Sequence, residues 1–174
     1  MISVLVANAK GGCGKTTVST NLATAFANAG LRTALADNDR QRSCLTWLKR
    51  RPKDAAPIEG LDWSKATGKP PKDVERLVID SGAGLASKRV QELLRQADLL
   101  VMPVLPSIFD ETATKRFLKR VDELKPVRRG RKPVAIVGNR MRMGTRSSAE
   151  LEDFLNAQGH DIATRLRDRA IYQD

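Results

Sequence analysis

The chain has 174 residues, the size of one domain that buries roughly two thirds of its unfolded surface. A net charge of +11 and a pI near 10.2 point to an anionic partner, nucleic acid or a membrane surface. Aromatic residues make up only 4%, which argues against a stacking platform for single strands, and no apolar run approaches the roughly 20 residues of a membrane span.

Ile2–Ala7 is a short apolar run rich in β-branched residues and reads as a buried strand. It is too short, and lacks the preceding positive charge, for a secretory signal. The next residues, Asn8 to Thr17, are rich in glycine and turn into a helical pattern. Ala9-x-x-x-x-Gly14-Lys15-Thr16 fits the phosphate-binding loop template, with alanine in place of the first glycine. Glycines let consecutive backbone N–H groups approach phosphate oxygens without a Cβ in the way. The helix opening at Lys15 adds its positive end. In this template Lys15 reaches the β- and γ-phosphates, and the Thr16 hydroxyl ligates Mg²⁺. Cys13 lies in the loop itself, where a disulfide would obstruct a nucleotide. With Cys44 it has no metal-ligand spacing, so a reducing cytoplasm is the expected compartment.

Thr17–Ala29 continues as a helix, with Val18, Leu22, Ala25, Phe26 and Ala29 at helical spacing and Gly30 as its stop. Leu31–Ala36 is the second strand and leads into Asp37-Asn38-Asp39. Ser43–Arg51 reads as a helix. Residues 52–72 form a surface connection anchored by Trp63, with a short element near Leu61. Glu75–Ser81 is an apolar strand ending in Asp80, and Ser87–Gln96 a helix. Asp98–Val104 is a further buried strand, and a helix running to Leu124 is capped by Asp110. Pro133–Gly138 forms another strand, Ser147–Ala157 a helix and Asp161–Thr164 a short last strand. His160 is read as exposed and without a role. Short apolar runs alternating with helical stretches predict one α/β domain over residues 1–174.

Lys10-Gly11-Gly12-Cys13-Gly14-Lys15-Thr16-Thr17 resembles the deviant Walker A motif of the ParA/MinD family of P-loop ATPases. Asp37-Asn38-Asp39-Arg40-Gln41-Arg42-Ser43 resembles that family's switch segment, with Arg40 where proline is usual. The strand ending in Asp80 matches a Walker B strand. Gly82-Ala83-Gly84 resembles the second switch without its proline, and Pro106-Ser107-Ile108-Phe109-Asp110 is similar to a family turn. The resemblance implies a doubly wound α/β fold with a mostly parallel sheet. It also implies a Mg²⁺-dependent ATP hydrolase that pairs into a homodimer on ATP. Residues 10–17 would cradle the phosphates, Lys10 would cross to the nucleotide of the other subunit, and Asn139 would bond adenine. Asp39 would orient the attacking water, while Thr16, Asp37 and Asp80 serve the metal region.

Lys115 to Arg146 holds most of the excess positive charge, and Arg165, Arg167 and Arg169 form a further cluster. Because the family's non-specific DNA contacts lie in its C-terminal part, the resemblance assigns duplex DNA to Arg165, Arg167 and Arg169. Such proteins position plasmids, chromosomes or protein cargos over the nucleoid of the cytoplasm, with a small adaptor protein that stimulates hydrolysis and no membrane partner. Two other readings remain open: a MinD-like membrane-cycling ATPase, and a metabolic P-loop phosphotransferase. The family usually carries a further helix beyond Tyr172, so the chain is expected to be a compact or shortened member.

Overall fold

The computed structural model describes residues 1–82, 87–107 and 111–169. The elements follow in the order β1 (Ile2–Val6), α1 (Lys15–Asn28), β2 (Thr33–Asn38), α2 (Ser43–Arg50), β3 (Ile58–Asp62) and β4 (Arg76–Ser81). After them come α3 (Ser87–Gln96), β5 (Leu99–Val104), α4 (Glu111–Asp122), α5 (Lys125–Arg128), β6 (Val134–Met141), α6 (Arg146–Ala157) and β7 (Ile162–Arg167). Seven strands form one sheet in the order β3-β2-β4-β1-β5-β6-β7. Every pair is parallel, which bears out the doubly wound α/β fold that the resemblance implies.

The central strands are apolar almost throughout because helices cover both of their faces. Leu5, Leu77, Ile79, Leu100, Met102 and Ile136 point toward α3, α4 and α6, where Leu93, Phe117, Leu118 and Leu155 meet them. On the other face Val4, Val6, Leu35 and Val78 pack against Val18 and Ala23 of α1 and Cys44 of α2. Full burial of each large side chain contributes about 1.5–3 kcal/mol.

Two readings of exposure change. Within α1 the buried stripe runs through Val18, Ala23 and Ala27, whereas Ala25 and Ala29 are exposed. His160 is not alone: its Nε2 lies 3.0 Å from Asp122 Oδ2 and its side chain is largely covered. The last strand also runs further than expected, so Arg165 and Arg167 sit within β7. Trp63 is the predicted anchor of its connection, 3% exposed and part of the core. Ala83, Gly84, Ile108, Phe109 and Asp110 lie outside the described residues, and so does Tyr172.

This topology fixes where a ligand goes. From β1 the chain winds outward through β2 to β3, and after β4 it crosses to β5 on the other side. In a doubly wound sheet the crevice opens at the C-terminal ends of the strands where the winding reverses. Those ends belong to β1 and β4, and they carry the glycine loop and Asp80.

Candidate nucleotide site

The loop leaves β1 at Ala7, whose N–H donates to Val101 O at 3.0 Å. Buried Asn8 holds its first bend: Nδ2 donates to Pro103 O (2.8 Å), and Oδ1 accepts from Lys10 N (3.2 Å). Gly12 and Gly14 take φ of +74° and +92°, the left-handed region that residues with a Cβ rarely adopt. Lys15 curls back over the loop, and its Nζ donates to Lys10 O at 2.8 Å. Lys15 is 6% exposed and is the first residue of α1. Positive charge, a helix N-terminus and glycine backbone thus converge on one concave turn, which is chemistry for phosphate oxygens.

Sheet register places the carboxylates. Asp37 and Asp80 are Cα partners on β2 and β4, and Val6 pairs with Asp80 from β1. Both aspartates are fully buried. Burial pushes both carboxyls above the usual carboxylate range, while hydrogen bonds pull the other way. Asp80 accepts from Thr16 Oγ1 (2.9 Å), Ser19 Oγ (2.8 Å) and Cys44 Sγ (3.2 Å). Asp37 accepts from the N–H groups of Asp39 (3.0 Å) and Leu45 (3.1 Å). A buried carboxylate beside a hydroxyl and a second acid fits a hard divalent cation such as Mg²⁺, which Thr16 and Asp80 would hold through oxygen.

Asp39 occupies the turn after β2, where its Oδ1 accepts from Gln41 N at 3.0 Å. It is less buried than Asp37 and lies against Gly82 at the end of β4, where a Cβ would come within 3.4 Å of its Cγ. Arg42 follows with φ +53° and pairs with Asp62 at 3.2 Å, which ties the switch turn to β3. Sequence reasoning missed three of these supports: Asn8, Ser19 and Cys44. Ser19 had a readable signal, because it lies one helical turn after Thr16 and on the same face.

The chain matches the model of the CobQ/CobB/MinD/ParA nucleotide binding domain over residues 4–161. It belongs to that family. Its curated relatives include "Maintenance of carboxysome distribution protein A" of Halothiobacillus neapolitanus, 27% identical over 99% of this chain and 82% of the relative. "Protein ParA" of Rhizobium radiobacter is 30% identical over 69% of this chain and 56% of its own length. Among solved structures, the ATP complex of Cyanothece McdA superposes with a TM-score of 0.77 at 16% identity, covering 99% of this chain and 85% of that one.

For this member of the CobQ/CobB/MinD/ParA family, the structure gathers Gly11 to Thr17, Asp37, Asp39 and Asp80 at one edge of the sheet. Asn139 is there too, 5% exposed, and its Nδ2 donates to Cys13 O at 2.9 Å. It braces the loop from β6 and also lines a cleft of about 440 Å³ beside Thr17, Leu22 and Val137. Arg165, Arg167 and Arg169 stand apart on the sheet margin. Arg165 is already engaged, with its Nε 2.7 Å from Glu152 Oε1. Arg167 and Arg169 are exposed near the same edge as the phosphate loop.

Gly14 is the glycine that tolerates least. A Cβ there would run into Asn139 Nδ2 as well as demand the left-handed region, whereas one at Gly12 meets nothing within 4 Å. Gly14→Ala is therefore expected to cost about 1–3 kcal/mol, lowering Tm by roughly 3–10 °C, with loss of nucleotide binding. Gly12→Ala should cost clearly less. Thermal melts of the two variants side by side check this ordering, and equal melting would show that the Asn139 amide moves aside at little cost.

Proposed function

We propose that this chain is a ParA-type ATPase whose two copies close on ATP, bind duplex DNA without sequence preference and let go on hydrolysis. The observation that carries this reading is the loop with two lysines, set against a buried Asp80 that Thr16 already reaches. Lys15 neutralises phosphate charge within one subunit, and Lys10 does so from the other. Thr16 and Asp80 are the residues that would hold Mg²⁺, with Asp37 behind them. When bound, that ion would supply positive charge to offset the phosphate oxygens. Asp39 orients the attacking water, since it is the acid of the group that solvent can reach. Asn139, beside Thr17, faces the base.

The cargo is a plasmid, a chromosome or a protein body. A protein body is the choice suggested by the relative named for carboxysome distribution. A small adaptor protein stimulates hydrolysis, and the site of action is the nucleoid in the cytoplasm. No helix among the described residues is long and apolar enough to cross a membrane. On the protein side, Arg167 and Arg169 offer phosphate contacts, with a smaller share from the ion-paired Arg165. Light scattering of the purified protein with Mg²⁺ and either ATP or ADP tests the cycle. A dimer with ATP and a monomer with ADP is the expected result. A monomer throughout would overturn the two-subunit mechanism and leave a single-subunit nucleotide enzyme.

A further inference from the structure

The excess of positive charge is not centred on β7. A cleft of about 560 Å³ opens between the C-terminal half of α3 and the segment from Leu124 to Lys132. Five of its nine lining residues are cationic, namely Arg95, Lys125, Arg129, Arg131 and Lys132, and none is acidic. Among the described residues no carboxylate lies within ion-pair distance of Arg95, Lys125, Arg129 or Arg131, whereas Arg142 and Arg165 are each matched by an acid.

The cleft is built rather than draped. Gly130, at φ +64°, reverses the chain so that Arg129 and Arg131 flank a tight turn. That turn is closed by Gly130 N to Val127 O (2.8 Å) and Arg131 N to Pro126 O (2.9 Å). Lys132 Nζ donates to the carbonyls of Leu94 and Ala97, which pins the turn to the end of α3.

Its place in the topology matters as much as its charge. The end of α3 leads into β5, and Lys132 leads into β6, so the cleft lies at the N-terminal ends of the strands. The phosphate loop, the switch turn and Arg167 all lie at the other ends. We propose that this basic cleft is a second phosphate-contact surface for duplex DNA that holds it weakly whether or not nucleotide is bound, so that hydrolysis ends only the tight grip of the ATP-closed pair. The proposal rests on the DNA-binding reading above.

Guanidinium forks match phosphate oxygens in pairs, and each neutralised phosphate releases counterions. No aromatic residue lines the cleft to stack single-stranded bases. Its apolar lining residues are buried or half-buried, so a bilayer finds nothing to insert. Backbone contact with a duplex is the match that remains.

The test is a DNA shift assay on the full chain at two salt concentrations, without nucleotide and with ATP, for the wild type, R129Q/R131Q, R129K/R131K and R167Q. Wild type and R167Q should share weak, salt-sensitive binding without nucleotide, and R129Q/R131Q should lose it while R129K/R131K keeps it. With ATP, R129Q/R131Q should show a log–log salt slope shallower by about 2, so that between roughly 50 and 200 mM salt the wild type loses about tenfold more affinity than the variant. ATPase activity without DNA should be unchanged in R129Q/R131Q. Equal binding by the wild type and R129Q/R131Q overturns the proposal. Binding that appears only with ATP and fails in R167Q alone also overturns it, while the DNA-binding reading stands. A wild type that binds no duplex in any state removes both. Phosphatidylglycerol vesicles form the last arm, and capture there with none on DNA would replace the duplex with a membrane surface.

Discussion

Lys10→Ala is expected to yield a protein that still binds ATP but no longer pairs when ATP is added. The reason lies in which part of Lys10 serves which contact. Its backbone carbonyl accepts from Lys15 Nζ and from Cys13 Sγ, and alanine keeps that carbonyl. These two backbone contacts of the loop are therefore kept in each subunit. What disappears is the ammonium proposed to meet the partner's nucleotide. Truncating one member of a buried interfacial charge pair costs about 2–5 kcal/mol, which is a loss of dimer affinity of at least roughly 30-fold. Equilibrium nucleotide binding by calorimetry, beside light scattering with ATP, separates the two roles. A variant that dimerises like the wild type would overturn the role of Lys10 across the interface.

Asp39→Ala should do the opposite and hold the dimer closed. Asp39 Oδ1 accepts one hydrogen bond, from Gln41 N in an exposed turn, so its loss costs the fold about 1 kcal/mol. The buried pair Asp37 and Asp80 keeps its partners, because Asp37 binds the backbone N–H of residue 39 rather than its side chain. Loss of a group that positions water lowers hydrolysis by about 10²–10⁴-fold. The ATP-bound dimer should then accumulate, with near-normal affinity for ATP. Single-turnover hydrolysis and nucleotide affinity, measured on the same variant, decide the matter. A large loss of affinity would place Asp39 with the metal or the fold.

Much of this site was legible because its signals are local. Glycines followed by Lys15 and Thr16, an apolar strand ahead of Asp80, and acids at the end of β2 are each read within ten residues. Contacts between distant residues left no such trace. Cys44 donates to Asp80 from 36 positions away, and Asn139 reaches Cys13 across 126. His160 looked exposed because nothing near it in sequence suggests Asp122. The end of β7 was hidden for another reason. In Ile162-Ala163-Thr164-Arg165-Leu166-Arg167 the pairing with β6 shifts register between Ile162 and Thr164. Ile162 and Leu166 pack in different parts of the core, so the strand carries no single alternation from end to end. The all-parallel pairing could be guessed from alternating elements, but strand order could not, since it depends on which crossovers pack.

The position of β1 at the centre of the sheet sets a clock on how this protein is made. β1 is synthesised before both of its neighbours, β4 and β5, which end at Ser81 and Val104. Even the N–H of Ala7, at the root of the glycine loop, waits for Val101. At about 5–20 residues per second, synthesis keeps that strand without its second partner for roughly 5–20 seconds. During that time an apolar hexapeptide with unpaired edges is exposed in the nascent chain, open to holdase chaperones or to a sister chain on the same message. The glycine loop therefore takes its place on the sheet only after Val101 has been made, about ninety residues behind its own glycines.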